Sequence, residues 1–316
     1  MLSNKEIYAE FCEKSSLPLI FQTPQWLDAV AGSNNWDVLL SFQGNLLSGA
    51  MPYVTSSKFG LKQITLPFLT PYLGPIVIFP EDLKIQNRLS FKRKIIKHLV
   101  DQIPKNDRFI TQTDFSFDFW LPFYWKGYQQ TTRYSYLLDT SPDIKELSKG
   151  FKPNIRKHIK KAKELFSVIS SEKTDTLYEL HQNDLKLKGE SLLFTKDQFE
   201  QLDHGIKSSN NRLILHAIDD NNNIVGGFYL VFDKTYAHYL IGAAQPNARS
   251  SGVMSLLMEE AILEAKKRKL IFNFEGSMHE NIGRFFSSFG GTPTPYMQIS
   301  KTSNKWLKEF TRFNHG

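Results

Sequence analysis

Ala248-Arg249-Ser250-Ser251-Gly252-Val253-Met254-Ser255-Leu256-Leu257 comes shortly after Tyr236 to Gly242, a run that reads as a strand. From Gly252 to Arg268 the pattern reads as a strong helix. A glycine-containing turn that opens a helix after a strand presents unpaired backbone N–H groups and the positive end of the helix dipole. Together these form an anion site. Arg249 adds a fixed charge with a two-pronged donor. The plainer reading of the same residues is an ordinary helix start, since Ser250 and Ser251 are good caps.

On the N-terminal side, Leu213 to Ile218 and Ile224 to Phe232 read as two more strands. The joining Asp219-Asp220-Asn221-Asn222-Asn223 lacks the glycine and distal glutamate of a calcium loop, so it reads as a hairpin turn. Thr174 to Lys188 and Thr195 to Lys207 read as helices. On the C-terminal side come a short buried strand, Leu270 to Glu275, a helix, Asn281 to Phe289, and a last strand, Pro295 to Ser300. Glu275 ends its strand, with Gly276 after it. A carboxylate at the carboxyl end of a buried strand can serve as a base of raised pKa, taking a proton from an incoming ammonium. The alternative is a structural carboxylate that bonds backbone N–H groups or pairs with Arg284.

The first half reads mainly as strands and turns. Trp36 to Phe42 and Leu46 to Val54 flank Gln43-Gly44-Asn45, a hairpin pattern. Leu61 to Leu66, Ile76 to Phe79, Arg108 to Thr113 and Thr132 to Leu138 read as further strands. Ile85 to Ile103 is helical, with apolar residues at three- to four-residue spacing and Pro104 as the stop. The aromatic run Phe115 to Tyr128 reads as packing more than as a stacking platform. An aromatic helix end, a glycine and a tyrosine-bearing strand occur at Phe123 to Tyr134 and again at Phe286 to Tyr296, which fits a duplicated domain.

A chain of 316 residues, at about 100–200 per domain, gives two domains. With 41% apolar and 22% charged residues, wholesale disorder is excluded. The single cysteine, Cys12, excludes an internal disulfide and a cysteine-rich zinc site, and the histidines show no metal spacing. No basic run followed by an apolar stretch opens the chain, and no apolar run approaches the ~20 residues of a membrane span. The expectation is a cytoplasmic protein with no membrane span and no metal. The net charge is +7, and residues 145–163 alone carry eight basic residues against Glu146. Arg156 and Lys160 lie in that stripe, on a helix opened by Pro153 with an apolar seam at Ile155, Ile159 and Ala162. The stripe reads either as a surface built to meet anions or as a solvated helix face. No Walker loop, nucleophile elbow or dinucleotide fingerprint occurs.

Arg249-Ser250-Ser251-Gly252-Val253 resembles the Q/R-x-x-G-x-G/A pyrophosphate loop of the GNAT acyltransferases, with Met254 in the slot usually held by a small residue. Over nearly the full length the pattern is similar to the FemAB-like, tandem-GNAT proteins. The motifs are Gln22-Thr23-Pro24-Gln25-Trp26, Met51-Pro52, Tyr134-Ser135-Tyr136-Leu137-Leu138-Asp139, Asn154-Ile155-Arg156-Lys157, and Phe272-Asn273-Phe274-Glu275-Gly276-Ser277.

That resemblance implies an α/β (α+β) fold of two GNAT-like domains with a cleft between them. Each would have a mixed, mostly antiparallel sheet flanked by helices. The expected domains are 1–135, with 304–316 packing back on it, and 136–303. The implied reaction is N-acyl transfer from an acyl-CoA such as acetyl-CoA to a small-molecule or peptide amine. Alternatives are aminoacyl-tRNA-dependent transfer to a cell-wall precursor, and a non-catalytic scaffold for an anionic ligand. The implied site has Glu275 as catalytic base, Arg249, Ser250, Ser251 and Gly252 on the donor, and Arg156, Lys160 and Tyr296 on substrate. DNA is not an expected partner. Phe286 stands where many members carry the tyrosine that protonates the leaving thiolate, so no acid is named. Val30 stands where the interpeptide-bridge enzymes place a substrate lysine.

Overall fold

The computed structural model describes residues 2–58, 60–207, 211–276 and 278–304. The chain forms two units: the first runs to Arg133 and resumes at Pro295, and the second is Tyr134–Thr294.

The first unit opens with two helices that lie outside the sequence expectations. Ser3 and Glu6 exchange hydrogen bonds in a capping box that starts α1 (Asn4–Lys14). Thr23 caps α2 (Pro24–Ala31), which has proline in its first turn. The expected hairpin follows as β1 (Trp36–Gln43) and β2 (Leu46–Lys58), antiparallel. β3 (Leu61–Ile64) and the short β4 (Ile76–Val77) both pair with β2. α3 (Arg88–Asp101) buries Ile95, Ile96, Leu99 and Val100 in one core with Met51 and Phe109. β5 (Arg108–Gln112) runs parallel to β3, and α4 (Leu121–Trp125) arises from the aromatic stretch.

β6 (Gln129–Leu138) leads into the second unit. There follow α5 (Ile144–Gly150), α6 (Pro153–Lys163), β7 (Ser167–Ser171), α7 (Thr174–Leu187) and α8 (Lys196–Lys207). Next is a meander of β8 (Arg212–Ile218), β9 (Ile224–Phe232) and β10 (Tyr236–Ala244). The unit continues through α9 (Pro246–Ser250), α10 (Val253–Lys267), β11 (Ile271–Asn273) and α11 (Glu280–Ser287). Its strands lie in the order β6-β11-β10-β9-β8-β7, antiparallel except for the parallel pair β10–β11.

Two helix layers cover this sheet. Ile155 and Ile159 of α6 and Val253, Leu257 and Ala261 of α10 share one core with Leu215, Phe228 and Leu230. Phe199 of α8 packs on Tyr229, whose hydroxyl donates to the buried Asp203 at 2.9 Å. Burial of apolar surface at roughly 25 cal/mol per Å² is the main stabilising term for such layers.

The last strand, β12 (Thr292–Thr302), begins in the second unit and ends in the first. Its residues Gln298–Thr302 pair antiparallel with β5. The second unit therefore ends at Thr294, where the expected domain runs to 303, because Gln298–Thr302 pair with β5 of the first unit. Of the expected 304–316 segment only Asn304 is described, its N–H directed at Asp107 O at 3.4 Å; residues 305–316 and Ser277 lie outside the described residues.

Candidate functional site

β10 and β11 pair only over Tyr236–His238 and Ile271–Asn273. Past that point Tyr239, Leu240 and Gly242 on one side and Phe274, Glu275 and Gly276 on the other line a cavity of about 890 Å³. A bulge at Leu240 shifts the β9–β10 register between Tyr239 and Ile241 and turns the strand at this point. The cavity thus opens at the carboxyl ends of two adjacent parallel strands, where α/β sheets commonly hold ligands. The start of α10, Arg249, and Asn154 and His158 of α6 complete the wall.

The turn before α10 differs from an open anion loop. Residues 246–250 wind into α9, so the Ser251 N–H donates to Ala248 O and the Gly252 N–H to Arg249 O, both at 3.1 Å. The two amides expected to face a pyrophosphate are therefore engaged within the turn. The Ser250 and Ser251 hydroxyls donate to Asn247 O at 2.8 and 3.4 Å, and neither residue lines the cavity. Gly252 does line it, with φ +89°; a Cβ there would sit 2.7 Å from His158 O, so glycine is what lets α6 lie this close. The first amides of a helix have no internal partner, and in α10 these belong to Val253 and Met254.

Arg249 meets a counter-ion. Its Nη2 donates to Asp184 Oδ1 at 2.6 Å, while Lys188 Nζ donates to Asp184 Oδ2 at 2.9 Å. Burial pushes the Asp184 carboxyl up, but the bonds from Lys188 and Arg249 outweigh it and hold the group below the usual range. Two cations around one carboxylate leave a net positive end to the cavity.

Glu275 anchors the other end. It takes a left-handed backbone, φ +51°, and its side chain is 14% exposed. Its Oε1 accepts from Asn273 Nδ2 at 2.8 Å and lies 2.7 Å from His238 Nδ1. His238 is fully buried, and its Nε2 is 2.9 Å from Asp233 Oδ2. Burial pulls the imidazole pKa down, yet Asp233 and Glu275 overcome this and raise it to about 9. Burial raises Asp233 as well, and the charge of His238 reverses that so it stays below the usual range. Arg284, a partner in the alternative structural reading of Glu275, pairs with Glu280 one turn away on α11.

His238, Asp233 and Asn273 had no role in the sequence reading. The parallel register that sets His238 beside Asn273 is the only signal, and it is not local. Tyr239 is also new. Its ring packs on Phe228 and Phe286 and lines the cavity, and burial pushes its phenol above the usual tyrosine value.

Three expected substrate residues lie elsewhere. Arg156 Nη1 donates to the carbonyls of Lys149 at 3.1 Å and Phe151 at 3.0 Å, finishing α5, and does not line the cavity. Lys160 is exposed on α6 away from the lining residues. Tyr296 is buried in the first unit, 5.3 Å from Tyr72 and 6.1 Å from Phe115 between ring centres. Among the described residues no group of three or more His, Cys, Asp or Glu is placed to hold a metal, and no helix is long and apolar enough to cross a membrane.

Residues 149–276 match the acetyltransferase (GNAT) domain family. This segment is a GNAT-type acetyltransferase domain. The matched segment holds most of the cavity wall, from Asn154 to Gly276, and α11 with Ser288 just after it adds the rest. Among solved structures the chain is similar to FemX, at 12% identity over 98% of both chains with a TM-score of 0.71. It is similar to L-PGS from Bacillus licheniformis, at 13% identity over 95% of this chain and 92% of that one, with a TM-score of 0.55. A tandem GNAT protein from the clavulanic acid biosynthesis pathway is 10% identical over 89% of this chain and 94% of that one, with a TM-score of 0.50. At these identities the likeness is one of fold, the α/β fold of the GNAT acyltransferases. No curated protein matches the chain.

Proposed function

We propose that the protein is an acyltransferase that moves an acyl group onto an amine, with the reaction in the cavity between Tyr239 and Glu275. The observation that carries this reading is a carboxylate at the open end of two parallel strands, in the same cavity as the start of α10. At neutral pH an acceptor amine is an ammonium ion and cannot attack. Glu275 takes one of its protons, and the freed lone pair attacks the acyl carbonyl carbon. As the tetrahedral adduct collapses with cleavage of the bond to the donor, the leaving group takes a proton from a nearby acid, and the attacking nitrogen returns its second proton to that acid's conjugate base. We assign that transfer to Tyr239, which lines the cavity and whose buried phenol stays protonated.

The donor of the first reading is an acyl-CoA, supported by the GNAT domain and by Arg249 and Lys188 at one end of the cavity. A second reading, an aminoacyl-tRNA, has its own support. The Ser251 and Gly252 amides are engaged, Arg249 is paired, and Lys157, Lys160 and Lys161 are exposed on α6. Both readings keep the amine acceptor.

Acetyl-CoA and a mixed charged-tRNA pool, each offered with a panel of primary amines and followed by mass spectrometry, separate them. Acyl-amine product with acetyl-CoA and none with tRNA supports the first donor, and the reverse result replaces it. Binding of both donors with no product from either overturns the enzyme reading in favour of an anion-binding scaffold.

A further inference from the structure

Outside the acetyltransferase segment, the first unit carries a helix of one-sided charge. From Lys84 to Val100 the sequence has six basic residues and no acid. α3 turns Ile95, Ile96, Leu99 and Val100 inward onto Met51 and Phe109, which leaves Arg88, Arg93, Lys94 and Lys97 exposed. α4 packs beside it. Just ahead of α4, Asp118 Oδ1 lies 2.5 Å from Lys92 Nζ; just after it, Lys126 Nζ lies 2.6 Å from Asp101 Oδ1 at the end of α3. The two helices therefore run side by side in the same sense. Phe123 of α4 is fully buried, with its ring centre 6.4 Å from that of Phe109, in the core that holds α3. Both helices thus cover one face of the sheet, and what they turn away from it forms one surface.

On α4 that surface is apolar. Leu121, Tyr124 and Trp125 stand at i, i+3 and i+4, on one side of the helix, and the two aromatic residues are 60% and 52% exposed. Ile85, which is 81% exposed, and Leu89 repeat the arrangement where α3 begins. Single exposed apolar residues are ordinary; five on adjoining helices, including the one exposed tryptophan among the described residues, mark a surface that something covers.

Charge selects the cover. Asp101 and Asp118 are taken up by Lys97, Lys126 and Lys92. Lys84, Arg88 and Arg93 are exposed and pair with no carboxylate among the described residues. A second copy of this face would set like charges against each other. Residues 305–316, outside the described residues, hold three basic residues against Glu309 and do not complement it either. A nucleic-acid backbone matches the charge but gives Ile85, Leu89 and Leu121 nothing to pack on. An anionic lipid surface matches both. Its phosphates meet the basic groups, tryptophan and tyrosine rings settle between head groups and acyl chains, and the aliphatic side chains reach past them.

We propose that the α3–α4 face docks the protein onto an anionic phospholipid bilayer without crossing it, with Tyr124 and Trp125 seated at head-group depth and Arg88 and Arg93 against lipid phosphates. This is a binding function of the first unit, and it stands whether or not the reaction assigned to the cavity does.

The test sediments the full chain with sucrose-loaded vesicles, either of phosphatidylcholine alone or of phosphatidylcholine and phosphatidylglycerol in equal parts. Saturable binding is expected to the second kind only, with a blue shift of tryptophan fluorescence, and it should weaken as salt rises. Arg88→Glu with Arg93→Glu should weaken binding more than tenfold, since each basic residue near an anionic membrane is worth about fivefold. Tyr124→Ser with Trp125→Ser should remove the blue shift and weaken binding about tenfold or more. Circular dichroism checks the fold of each, and Arg93→Gln and Trp125→Ser alone serve if a double variant does not fold. Wild type that ignores phosphatidylglycerol, or binding unchanged in either double variant, overturns the proposal. Two further results overturn it by naming another occupant. Retention of tRNA that the arginine variant loses, without vesicle binding, makes the face a nucleic-acid surface, and a dimer that the Trp125 variant dissolves makes it an interface between copies.

Discussion

Arg249 and Asp184, 65 residues apart in sequence, meet at 2.6 Å in the cavity wall, and this contact sets a counter-ion, shared with Lys188, against the charge expected to hold the donor. Asp184→Asn removes the counter-ion while keeping the shape, leaving Arg249 and Lys188 uncompensated. Coenzyme A affinity measured by calorimetry should then rise about three- to tenfold at low salt and return toward the wild-type value as ionic strength increases. Affinity that stays the same at every salt concentration removes Arg249 from the donor site.

The basic stripe divides into two kinds of residue. Arg156 donates to the last carbonyls of α5, so Arg156→Glu should lower stability by about 1 kcal/mol, seen as a lower Tm. Lys160 is exposed on α6, so Lys160→Glu should leave Tm within the ~0.5 kcal/mol typical of surface changes. If tRNA is the donor, Lys160→Glu should weaken its retention in filter binding and reduce the salt slope. Equal retention by the two proteins would return the stripe to a solvated helix face.

Two buried histidines bend the stability profile in opposite directions. His216 is buried with neither ring nitrogen bonded, and burial lowers its pKa to about 4. Between the ordinary value near 6.5 and about 4 the unfolded chain binds a proton that the folded one refuses, so stability falls as pH falls through that window. The full effect is up to about 3 kcal/mol. His216→Leu should flatten this acid limb in urea titrations at pH 7, 5.5 and 4.5. For His238, raised to about 9, the added stability is complete below about 6.5 and is lost as pH rises through 9. An alkaline limb that survives in His238→Asn would refute the assignment.

Catalysis and binding separate at Tyr239. If its hydroxyl protonates the leaving group, Tyr239→Phe should lower kcat by about 10²-fold with KM for the donor little changed. Restoration of the rate with a donor whose leaving group is already a weak base would confirm the role. A rise in KM alone would make Tyr239 a contact residue.

The helix after Gly252 is legible because its apolar period is long and its start is marked by serine and glycine. α1 is harder to read: its start is a local exchange between Ser3 and Glu6, and only Tyr8 is buried among its eleven residues. β7 is an edge strand, Ser-Val-Ile-Ser-Ser, with no residue fully buried, so alternation has little to act on. Glu275 is visible from the strand pattern alone, but its partner is not. Arg284, nine residues away, is satisfied by Glu280 at helical spacing, whereas His238, 37 residues away, reaches Glu275 through the pairing of parallel strands. Tyr296 lies away from the cavity for a related reason. Its strand crosses the unit boundary two residues earlier, a change that no spacing records.

The route of β12 also sets an order of events during synthesis. The second unit is one unbroken stretch, whereas the first needs residues from both sides of it. As the ribosome delivers the chain, β5 waits exposed until Gln298–Thr302 emerge to pair with it, about 190 residues later. Units made of one stretch fold as they appear, and split ones cannot close early. The nascent first unit therefore carries an open sheet edge through most of translation, and a chaperone that covers strand edges would find its substrate there.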